Sequence, residues 1–100
     1  MSLTSTFMPS GPTVLVGASA VQANATSGSA VNYRVRCLVS AYLTWGGAGI
    51  SAAGAPSAGS PVTNTIGMTA GGIETFTFPA NSSFISSVAA SFEVTPGEGL

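Results

Sequence analysis

Val31-Asn32-Tyr33-Arg34-Val35-Arg36-Cys37-Leu38-Val39 is the stretch on which the fold turns. Successive side chains of an extended strand point to opposite faces. Tyr33, Val35 and Cys37 therefore share one face, and Asn32, Arg34 and Arg36 share the other. The first set suits a core, while the second holds both basic side chains of the chain. Leu38 and Val39 break the alternation, which predicts a bulge or an edge with both faces covered. Ala41 to Trp45 is a second strand closed by Gly46-Gly47, and the gap at Ser40 is too short for a conventional hairpin loop. Segments 31–39 and 41–45 are thus candidates for one long bent strand.

The same pattern recurs on both sides. Gly71-Gly72 makes a turn before Ile73-Glu74-Thr75-Phe76-Thr77-Phe78, where Glu74, Phe76 and Phe78 alternate with Ile73, Thr75 and Thr77. The aromatics mark the core side and leave Glu74 at its rim. Thr63 to Met68 is a weaker strand. Phe84 to Ala89 and Ser91 to Thr95 read as the last two, stopped by Pro96-Gly97-Glu98-Gly99. Upstream, Thr13 to Val16 is a short strand, Gly17 to Val21 continues or bends it, and Asn24 to Ser29 is a turn. Leu3 to Met8 reads as an edge strand or arm. It ends at Pro9-Ser10-Gly11-Pro12, where two prolines fix φ and remove ladder donors.

Seven or eight short strands at roughly ten-residue spacing predict an all-β chain folded as a small antiparallel, jelly-roll-like β-sandwich. Residues 1–12 form the arm or edge strand, and 13–100 form one domain with a Gly/Ala/Ser/Pro loop near 46–61. Tyr33, Val35, Trp45, Phe76, Phe78, Phe84, Phe92 and Val94 are the expected core.

Composition narrows the chemistry. The 100 residues include two Arg, three Glu and no Lys, Asp or His, and Ala, Gly, Ser and Thr fill 54 positions. Phosphate neutralisation needs a basic stripe, so nucleic acid is not an expected partner. One Cys and three scattered Glu make no recognisable metal set. Without His or Asp there is no Ser/His/Asp triad and little general acid–base capacity, so neither catalysis nor a cofactor is expected. No run of 18 apolar residues forms a membrane span, and the N-terminus lacks the basic and apolar regions of a signal peptide. A surface with so few charges suits a protein fixed in an assembly.

The residues left to consider are contact residues. Cys37 is read as a small buried hydrophobe, since no base is present to activate it. Arg34 and Arg36 either pair locally with Glu74 or Glu93 across a sheet or meet a subunit as arginine forks. Trp45 is a core plug or an interface anchor, Phe7 on the arm and Tyr42 are interface candidates, and Tyr42 or Trp45 is the aromatic that a carbohydrate or peptide ligand would meet. An arm of residues 2–8 could add a strand to a neighbour's edge. The glycine pairs are turns, because none has a phosphate-loop arrangement.

Four segments together carry a resemblance. They are Val31-Asn32-Tyr33-Arg34-Val35, Ala41-Tyr42-Leu43-Thr44-Trp45-Gly46, Ile73-Glu74-Thr75-Phe76-Thr77-Phe78-Pro79-Ala80 and Ser91-Phe92-Glu93-Val94-Thr95-Pro96-Gly97-Glu98-Gly99. In this order the chain resembles the small β-sandwich decoration, or cement, proteins of tailed bacteriophage capsids. The likeness covers roughly residues 31–99, with 46–70 poorly matched. It departs where Arg36-Cys37-Leu38-Val39 continues the strand in place of an Asn-containing turn. The resemblance implies a mechanical role on the outer capsid surface: binding major capsid protein at subunit junctions, as a dimer or trimer, after synthesis in the host bacterial cytoplasm. Other expectations are a tail, fibre or head-completion component, or a carbohydrate- or peptide-binding β-module.

Overall fold

The computed structural model describes residues 7–22 and 30–98 of the chain, and all regular structure among them is extended. In chain order the strands are β1 (Met8–Pro9), β2 (Val14–Val16), β3 (Val21–Gln22), β4 (Val31–Cys37), β5 (Ala41–Gly46), β6 (Thr65–Met68), β7 (Ile73–Phe78), β8 (Ser83–Ser86) and β9 (Phe92–Glu98). β1 and β2 follow one another along the same side of β9, with Met8 opposite Glu98 and Leu15 opposite Glu93. They are one edge strand in two pieces.

Pairing follows a single rule. β2 pairs with β9, β3 with β8, β4 with β7 and β5 with β6, all antiparallel. The chain is therefore a long hairpin doubled back between β5 and β6. Rolling that hairpin up sets β4 against β9 and β5 against β8. Two sheets result, β2–β9–β4–β7 (extended by β1) and β3–β8–β5–β6. This is the jelly-roll form of the antiparallel sandwich that the strand pattern predicts.

The core lies between the sheets, where the alternation of β4 puts it. Tyr33, Val35 and Cys37 point inward together with Val16, Phe92 and Val94 of their own sheet and Leu43 and Phe84 of the other. Phe78 is the hub, with ring centroids of Phe84, Trp45 and Tyr33 at 4.9, 5.1 and 5.6 Å. Its pairs are tilted or edge-on, the arrangement that ring quadrupoles favour. Each fully buried aromatic or aliphatic side chain contributes about 1.5–3 kcal/mol. Glu74 shares the inner face of β7 but sits opposite Val35 at the exposed sheet edge.

Three expectations change. Segments 31–39 and 41–45 are not one bent strand: β4 and β5 belong to opposite sheets, and Leu38 to Ser40 is the corner between them. Alternation fails there because the chain is turning from one sheet to the other at the end of the sandwich, with Val39 and Ser40 exposed, and not because of a bulge. The Leu38 amide donates to the Ser91 carbonyl at 2.7 Å, and the Ser91 amide donates to the Val16 carbonyl at 3.1 Å, which closes this end of the sandwich. Next, β8 stops at Ser86 rather than Ala89. Finally, Pro96-Gly97 does not stop the last strand, which runs to Glu98. The Pro96 carbonyl accepts from the Ser10 amide, so its missing N–H also faces the edge side, where the ladder is interrupted between β1 and β2.

Candidate functional site

The outer face of the β2–β9–β4–β7 sheet collects the side chains that alternation turns away from the core. Register places them in rows across the strands. One row reads Leu15, Glu93, Arg36, Ile73, each opposite the next on the neighbouring strand. A second has Thr95, Arg34 and Thr75 in register, with Thr13 Oγ1 2.8 Å from Thr95 Oγ1. In a third, Thr77 Oγ1 donates to Asn32 Oδ1 at 2.5 Å.

The central pair is an ion pair. Arg36 donates to Glu93 Oε1 at 3.3 Å, and the two side chains are 54% and 36% exposed. Of the two acidic partners considered for the arginines, Glu93 is the one used, because Glu74 is on the other side of β7. In high dielectric such a pair contributes little to folding, of order 0.2–1 kcal/mol. Leu15 and Ile73 bracket it at 55% and 51% exposure. Among the described residues this is the only ion pair; Arg34 stands between Thr75 and Thr95 with no carboxylate across from it. Thr13, Arg34, Arg36, Glu93 and Thr95 line a polar recess of about 200 Å³. Guanidinium groups donate only, so the recess can hold a carboxylate or a carbonyl.

Phe7 joins this face. Its ring occupies the space that a Cβ at Gly97 would take, 2.5 Å from that position, and Gly97 alternates with Glu93 and Thr95 on the outer side of β9. Phe7 is thus half-buried on its own chain, and Met8–Pro9 pairs with its own β9. The remaining arm residues, 2–6, lie outside the described residues.

Tyr42 and Trp45 are elsewhere. Trp45 turns inward from β5 and packs against Phe78, the core-plug alternative. Tyr42 lies on the outer face of the second sheet with its ring over Gly67, 2.8 Å from where a Cβ would be. It borders a shallow depression of about 410 Å³ that Ser40, Thr69 and Ser87 also line. Part of that outer face is covered by the loop after β5, which reaches Thr44 and Gly46. The Ala53 amide donates to Thr44 Oγ1 at 3.4 Å, and Ile50 lies 2.7 Å from where a Cβ on Gly46 would be. Thr44, Ser83 and Ile85 are buried although alternation turns them outward.

Cys37 is buried, as expected. Its thiol donates to the Val39 carbonyl at 3.2 Å, and burial pushes its pKa up despite backbone hydrogen bonds that lower it. Burial also raises the Tyr33 phenol. No group of three or more His, Cys, Asp or Glu side chains comes together among the described residues, and no helix there is long and apolar enough to cross a membrane.

The structure therefore brings Phe7, Arg34 and Arg36 onto one face and separates Tyr42 and Trp45 from it. Leu15 is the exposed aliphatic residue of this face that sequence reasoning missed. It sits in an unbroken apolar run, Val14-Leu15-Val16, where only strand parity distinguishes it from its more buried neighbours. Comparison of the chain with protein-family models, curated proteins and solved structures gave no match.

Proposed function

We propose that this chain is a structural, non-catalytic virion protein that binds the outer surface of a bacteriophage capsid and stabilises contacts between major capsid subunits. The observation that carries the reading is the uncovered β2–β9–β4–β7 face. Three of the chain's five charged side chains stand on it, between two exposed aliphatic residues and beside Phe7. Such a face makes contacts and performs no reaction. Stabilising a shell requires only preferential binding to the assembled state, and many symmetry-related sites multiply a weak contact.

The test is made on particles. Virions with and without the chain are compared for copy number by quantitative mass spectrometry and for the temperature at which the shell opens. The reading expects a copy number commensurate with capsid subunits and earlier opening when the chain is missing. A handful of copies would point instead to a tail, fibre or head-completion part. A carbohydrate- or peptide-binding module is the second reading, favoured only by Tyr42 beside its recess. Saturable glycan or peptide binding lost in Tyr42→Ala would establish it.

A further inference from the structure

We infer that the uncovered face of the β2–β9–β4–β7 sheet is completed by a second copy of the same face, in a two-fold dimer whose axis runs along the strands between β9 and β4. The observation behind it is the order of one row. Leu15, Glu93, Arg36 and Ile73 occupy four neighbouring strands at one level of the sheet. Read across the sheet, they run aliphatic, acid, base, aliphatic.

A two-fold axis lying in the interface and parallel to the strands reverses that row in the facing copy. Leu15 then meets Ile73 of the second copy, and Glu93 meets Arg36 of the second copy, with each relation repeated by symmetry. This is the self-complementary surface that an isologous contact requires. Each Glu93 would lie between its own Arg36 and that of the second copy. Arg34, which has no carboxylate across from it in one chain, would face the Thr95 hydroxyl of the other. An axis across the strands would instead set Glu93 on Glu93 and Arg36 on Arg36, a like-charge arrangement that costs free energy. The row therefore selects one axis of the two, and face-packed sheets with nearly aligned strands are a standard packing.

The size of the face sets the strength. Four strands about 4.8 Å apart and about 20 Å long offer roughly 400 Å² per copy, about 800 Å² in all, which is below the size of stable specific interfaces and in the range of weak, transient ones. A weak, concentration-dependent dimer follows. The inference does not depend on the capsid reading. A face joined to a second copy is not open to capsid protein, so capsid contact would then fall to the sheet edges and the loop after β5; the dimer is tested on the isolated chain.

Sedimentation equilibrium across a concentration series gives the answer. The wild-type chain is expected to pass from monomer to dimer. Arg36→Glu turns the row into aliphatic, acid, acid, aliphatic, and Glu93→Arg turns it into aliphatic, base, base, aliphatic. Each variant alone should remain monomeric at concentrations where the wild type pairs, and an equimolar mixture should restore a dimer containing one of each. A role confined within one chain does not produce that rescue on mixing. A wild type that is monomeric throughout, a trimer, variants that pair as the wild type does, or a mixture that stays monomeric would overturn the inference. Should a reversal cost the fold, the wild type still decides by amide chemical shifts over the same dilution. Changes centred on residues 32–36, 73–77 and 93–95 support the dimer, and unchanged shifts there overturn it.

Discussion

The two outer faces of this sandwich are built on opposite plans. On the β3–β8–β5–β6 side, the loop after β5 folds back over Thr44 and Gly46, and outward-facing Thr44, Ser83 and Ile85 are nearly as buried as the core. On the β2–β9–β4–β7 side the outward residues other than Gly97 are exposed or half-exposed, and both arginines and the one ion pair found among the described residues are gathered there. A sheet needs apolar burial on one side only. The first face spends a long segment of small residues on a second layer of cover, whereas the second is left for something outside the chain.

Substitutions of matched residues sharpen this contrast. The largest difference is expected between two isoleucines that both point away from the core. Ile85→Ala removes a buried side chain and should lower stability by about 2–5 kcal/mol. Ile73→Ala, half-exposed on the uncovered face, should stay within about 0.5 kcal/mol. Equal losses in urea denaturation would mean that the two faces are not differently covered.

A smaller contrast is expected between threonines. Thr44 Oγ1 lies 3.0 Å from Thr65 Oγ1 and also accepts from the Ala53 amide, so Thr44→Val should cost about 1 kcal/mol. Thr95→Val breaks one exposed hydroxyl pair and should cost less than about 0.5 kcal/mol. Arg36→Gln should change folding by less than about 1 kcal/mol while weakening self-association markedly. Thermal melts and sedimentation separate those two effects.

The interior provides a reference that neither face should disturb. Burial raises the folded-state pKa of Cys37. Stability associated with its protonated thiol is therefore complete below the unfolded thiol's pKa, about 8.5, and is lost as pH rises from there through the higher folded value. The expected effect is nothing near neutrality and a decline in alkali that is reduced in Cys37→Ala. Alkylation of the native thiol near pH 8 should be slow and should accelerate on unfolding.

Half of this contrast could be read from residues alone. The alternation of Tyr33, Val35 and Cys37 against Arg34 and Arg36, and of Phe76 and Phe78 against Ile73, Thr75 and Thr77, identified the core side of two strands because each run obeys one local rule. The corner at Leu38 to Ser40 was illegible for the opposite reason. Val39 is apolar yet 45% exposed where the chain turns between sheets, so Leu38-Val39 looks like continued strand although it is a corner. The pass of β9 through Pro96 depends on a break in the neighbouring edge strand, which no property of Pro96 announces. The loop that meets Thr44 and Gly46 is mostly Gly, Ala, Ser and Pro, whose side chains carry no periodic signal. The row from Leu15 to Ile73 joins residues from four separate segments, so it exists only once the strands are paired.

The most direct test of the claim that the uncovered face is an interface is hydroxyl-radical footprinting of the wild-type chain, dilute and concentrated. Leu15 and Ile73 are 55% and 51% exposed, and Val39 and Val88, in the corners at one end of the sandwich, are 45% and 37% exposed. The account predicts that oxidation of Leu15 and Ile73 falls on concentration while Val39 and Val88 remain as reactive as before. Unchanged reactivity at all four positions, or protection at the corners instead, would contradict it.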